Sequence, residues 1–88
     1  MKFFLFFLIL LSNSSYPVLS QSNLLESVKK NPEEARNLCN KFRDFNSKGI
    51  SASSDKAIEY VSNIKKLTPV NAEIFSIYVI GLHCPDII

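Results

Sequence analysis

The chain holds one histidine, two glycines and two cysteines among its 88 residues, and each scarcity excludes some chemistry. A single histidine cannot supply the H-x-x-x-H pair of a zinc site, and Cys39 and Cys84 stand too far apart for a C-x-x-C. The two glycines, Gly49 and Gly81, stand too far apart for a glycine-rich loop that cradles phosphate. Charge of one sign is also lacking: ten basic residues meet eight acidic ones, a net +2. Lys29-Lys30, Arg36, Lys41 with Arg43, and Lys65-Lys66 are interspersed with acids. They read as solvated faces, not as the concentrated basic patch that nucleic acid requires. No apolar–polar alternation marks a strand. No apolar run reaches the ~20 residues that span a bilayer. Internal repeats and low-complexity tracts are absent.

What is present begins with an export layout. Met1-Lys2 gives a short positive start, Phe3 to Leu11 an unbroken apolar run, and Pro17 a helix breaker. Val18-Leu19-Ser20 then offers modest side chains at the positions a signal peptidase reads. The expected cut follows Ser20, making residues 1–20 a signal peptide and residues 21–88 a single domain. A retained anchor is the competing reading. The N-x-S sequon at Asn13 falls inside the segment expected to be removed. The lack of a cysteine just after the cut argues against a lipoprotein. Processing would leave 68 residues with nine basic against eight acidic side chains. Domains this small bury only ~60% of their unfolded surface and usually carry a staple. A bond between Cys39 and Cys84 would be that staple, and an oxidising compartment would preserve it. The alternative is two buried free thiols.

Four helices are legible. The first runs from about Asn23 to Lys30, with Leu24, Leu25 and Val28 on its apolar face and Glu26–Lys30 as an i,i+4 pair. Asn31-Pro32-Glu33-Glu34 opens the second as N-cap, N1 proline and capping box. Ala35, Leu38, Cys39, Phe42 and Phe45 form its stripe, and Gly49 is its left-handed cap. The third runs from Ser54 or Asp55 to about Lys66, with Ala57, Tyr60, Val61, Ile64 and Leu67 inward. Thr68-Pro69 starts the fourth, which ends near His83. That helix is apolar almost all round, with a narrow polar strip through Glu73, Ser76 and His83. Such a helix is expected to be the central one, wrapped by the other three.

Reactive side chains cluster only at His83-Cys84. Helix neighbours point about 100° apart, so these two cannot pair as base and nucleophile. Cys39, His83, Cys84 and Asp86 are the only conceivable zinc set, and their spacing argues against it. A redox-active disulfide would want cysteines close in sequence at an exposed helix start, so a structural bond is favoured. Phe42, Phe45, Tyr60, Phe75 and Tyr78 are many aromatics for a small domain. They fill the core, or form a partner or dimer face, or line an apolar ligand pocket.

The arrangement resembles a family of small exported proteins best known from mycobacteria and catalogued as a domain of unknown function. The residues that carry the likeness are Ala35-Arg36-Asn37-Leu38-Cys39, Thr68-Pro69 and His83-Cys84-Pro85, and the likeness extends from Leu24 to Asp86. His83 stands where that family commonly has an aromatic. The resemblance implies a compact four-helix domain with Cys39 bonded to Cys84. It implies no catalytic, metal or cofactor residue.

The expectation is therefore an all-α, compact four-helix domain with one disulfide after a signal peptide. It is secreted or periplasmic, without enzymatic activity, metal or cofactor. Its role is binding or structural, with a protein partner or a second copy as occupant, and it meets the membrane only during export. A small redox or effector protein, or a signal-anchored envelope protein, is the alternative.

Overall fold

The computed structural model describes residues 21–88, in which four helices and no strand are found. They are α1 (Gln21–Lys30), α2 (Pro32–Ser47), α3 (Asp55–Lys65) and α4 (Pro69–His83). The expected signal segment, its cut after Ser20 and the sequon at Asn13 lie outside the described residues.

One residue, Asn31, separates α1 from α2 and serves both. Its backbone carbonyl accepts the first α2 bond from Ala35, while its side-chain amide donates back to the Ser27 carbonyl of α1 at 2.9 Å. No side-chain cap bond forms at the start of α2. The expected capping box is therefore absent, because the Asn31 side chain is spent on the preceding helix. Glu34 is free for another use and meets Lys65 of α3 at 2.9 Å. The expected Glu26–Lys30 pair is present on the α1 surface at 3.9 Å.

α2 buries its whole predicted stripe: Ala35, Leu38, Cys39, Phe42 and Phe45. It ends as a Schellman motif. The Ile50 amide reaches the Phe45 carbonyl at 2.8 Å, and the Gly49 amide reaches that of Asn46 at 3.0 Å. Gly49 takes φ +77°, where a side chain would be strained.

Ser54 caps α3 by accepting from the Ala57 amide. The far end of α3 needs a left-handed residue too, but Lys66 supplies it at φ 54°. A non-glycine residue there carries a steric cost. Lys66→Gly is expected to stabilise the fold by about 0.5–1 kcal/mol, read as a melting point several degrees higher. An unchanged or lower melting point would contradict the left-handed turn.

Thr68 caps α4 by accepting from the Asn71 amide at 3.2 Å, with Pro69 in the first turn. α4 packs against each of the other three helices, as expected of the central element. It is not wrapped, however. Its buried face is Ala72, Phe75, Ser76 and Val79, whereas Val70, Ile77 and Leu82 stay 67%, 59% and 50% exposed. Of the narrow polar strip through Glu73, Ser76 and His83, Ser76 faces inward and donates its hydroxyl to the Ala72 carbonyl at 2.9 Å. That local bond satisfies the buried hydroxyl. The buried face thus mixes small and large side chains, Ala72 and Ser76 with Phe75 and Val79.

The core joins these faces to Leu24 and Val28 of α1, Ala57 and Val61 of α3, and Ala52 of the α2–α3 connector. Past α4 the chain turns back along α2. Asn46 grips Ile88 from both sides, its amide donating to the Ile88 carbonyl and its oxygen accepting from the Ile88 amide, each at 3.0 Å. Ala52 donates to the same carbonyl, and Arg43 reaches Asp86 at 3.4 Å. The polar connector and the short tail thus fix one another.

Candidate functional site

Cys39 lies in the middle of α2 and Cys84 at the end of α4, and the two sulfurs are bonded at 2.08 Å. The bond spans 45 positions. It holds the last turn of the hub helix against the longest helix. The two residues are only 2% and 1% exposed. A thiolate must open the domain before it can attack either sulfur, which suits a structural bond better than an exchanging one. Of the conceivable zinc set, the two sulfurs are bonded to each other and Asp86 is paired with Arg43. Among the described residues, no group of three or more His, Cys, Asp or Glu could hold a metal ion.

The five aromatics divide by position. Phe42, Phe45 and Phe75 are buried, at 0%, 6% and 1% exposure. Tyr60 and Tyr78 are half-buried and packed against the core. Phe42 and Phe75 therefore offer no surface to a partner, and Phe45 offers only an edge at the α2–α3 cleft. The apolar surface that remains open is aliphatic: Val70, Ile77 and Leu82 on α4, Ile64 at the end of α3, and Ile88 in the tail. Ile64 was expected inward, but it sits in the last turn of α3. Gly81 lies on the open side of α4, where an added Cβ would meet nothing within 4 Å. Gly81 sits in the last turn of α4, and among the described residues no close contact requires a glycine there.

A second surface feature lies between α2 and α3. The Lys41 ammonium stands 5.0 Å from the ring centroids of both Phe45 and Tyr60. Those rings meet edge to face at 5.8 Å and 83°. A cation over two aromatic faces gains about 0.5–1 kcal/mol per contact at a partly exposed site. The sequence groups Lys41 with the solvated charges because its ring neighbours come from two helices. An open cavity of about 400 Å³ is lined here by Lys41, Phe45, Lys56, Glu59, Tyr60 and Asn63. Lys65 shows a related arrangement, paired with Glu34 and 5.3 Å from the centre of the Phe75 ring.

A family model described as a domain of unknown function, DUF8664, matches residues 25–84. The match agrees with the expected resemblance at the level of a domain of unknown function; it does not reach the mycobacterial two-cysteine family. No curated protein and no solved structure matches the chain.

Proposed function

The chain belongs to the DUF8664 family, and since that family's description assigns no activity, we propose from the fold a non-catalytic binding role outside the cytoplasm. The observation that carries this reading is the open face of α4, where Val70 and Ile77, two turns apart on one side of the helix that organises the core, remain exposed. Exposed aliphatic side chains grouped on one face mark an interaction surface. The occupant on this reading is a protein partner or a second copy of the chain. The export layout of residues 1–20 and the Cys39–Cys84 bond support an oxidising compartment.

The double variant Val70→Asp/Ile77→Asp tests it. Both positions are exposed, so stability is expected to change by no more than about 1 kcal/mol. In the medium or envelope of the producing cells, the wild type is expected to migrate as a complex and the variant as a free monomer. Identical migration of the two as monomers would remove the binding role from this face.

A further inference from the structure

The cleft between α2 and α3 carries an inference separate from the α4 face. Lys41 and Lys56 both line it, and neither makes a hydrogen bond or an ion pair among the described residues. This is notable for Lys41, which is half-buried and held over Phe45 and Tyr60 at 5.0 Å. The rings attract its charge from below and offer its N–H groups no acceptor. Lys56, Glu59, Tyr60 and Asn63 follow one another at i, i+3, i+4 and i+7 along one side of α3. The Tyr60 hydroxyl and the Asn63 amide likewise have no protein partner among the described residues. The cleft thus gathers two ammonium groups, a phenol and a carboxamide beside aromatic carbon, in a volume of about 400 Å³. Pockets for small ligands begin at roughly 300 Å³ and combine apolar walls with a few polar anchors.

The remaining wall residue, Glu59, restricts the ligand further. Its carboxylate leaves the cleft a formal charge of only +1. A monoanion is accommodated, while a dianion such as phosphate meets repulsion from Glu59 as well as attraction from the lysines. We propose that this cleft binds a small organic monocarboxylate. The carboxylate is held between Lys41 and Lys56, and the flat hydrocarbon body lies along Tyr60 and the edge of Phe45. Charge-assisted hydrogen bonds from the ammonium groups orient the acid, and Tyr60 and Asn63 complete its polar ring.

The test is a titration followed by backbone amide NMR, on oxidised protein expressed from the full 88-residue sequence. The probes are benzoate, neutral benzamide and inorganic phosphate. Benzoate is expected to give saturable shifts centred on Lys41, Lys56, Tyr60 and Asn63 at millimolar concentrations. Benzamide and phosphate are expected to bind at least about tenfold more weakly, in line with the anion-plus-body requirement. Lys41→Met, which keeps the apolar stem over the rings, should weaken benzoate at least fivefold. Lys56→Gln, on the exposed lip, should do the same with an unchanged melting point. Equal binding of benzamide would show mere adsorption to aromatic carbon and overturn the proposal. Equal binding of phosphate would reduce the cleft to a charge patch and overturn it too. Shifts centred on the α4 face, or none, would place no acid here.

Discussion

Replacing Cys84 with serine is expected to lower the stability of the protein by about 4 kcal/mol. The bond closes a loop of 45 positions, so its loss lets the unfolded chain expand. Strain in the native bond would reduce the figure, and the loss of buried sulfur contacts at a residue 1% exposed would raise it. A domain of this size has only about 5 kcal/mol of net stability, so the variant should sit near its unfolding midpoint in water. Urea unfolding under non-reducing conditions separates the two contributions. Loss of a cross-link exposes more surface on unfolding and raises the slope m, whereas loss of packing alone shifts the midpoint at constant m. A lower midpoint with a steeper slope is expected for Cys84→Ser and for Cys39→Ser. Fully reduced wild type should behave alike. A midpoint unchanged by substitution and by reduction would show that the bond contributes nothing.

Phe42→Ala is the second large effect. Phe42 is 0% exposed on α2, one turn beyond Cys39 and one turn before Phe45, in the face that meets α4. Removing a fully buried phenyl ring costs about 3–5 kcal/mol, from lost transfer free energy plus the cavity left behind. The disulfide cannot compensate, because it acts on the unfolded chain and leaves the packing unchanged. The expected result is a protein that keeps its Cys39–Cys84 bond yet loses cooperative thermal unfolding near room temperature. Tyr78→Ala, at a half-buried position on α4, should cost clearly less. Equal costs at the two positions would contradict the placement of the core.

These two sites were legible for different reasons. The α2 stripe is strongly amphipathic, so periodicity alone marks Ala35, Leu38, Cys39, Phe42 and Phe45, and all five are buried. The starts of α2, α3 and α4 could be read from Pro32, Ser54 and Thr68, because caps act locally. α4 lacks such a direction. With aliphatic side chains nearly all round, its pattern marks a hub but cannot say which face turns in. The role of Asn31 was hidden because a one-residue link makes two helices compete for one side chain. The Lys41 cleft was hidden because Phe45 and Tyr60 come together only when α2 and α3 pack. The grip of Asn46 on Ile88 was hidden because the two are 42 positions apart and meet only when the tail folds back along α2.

The account as a whole joins the Cys39–Cys84 staple seen in the fold to the proposal that the chain is exported. The most direct test is the intact mass of the non-reduced protein recovered from the medium or envelope of its producing cells. The account predicts a chain beginning at Gln21 and about two daltons lighter than its reduced form, as one intramolecular bond requires. A mass beginning at Met1, unchanged by reduction, would contradict both the export and the staple.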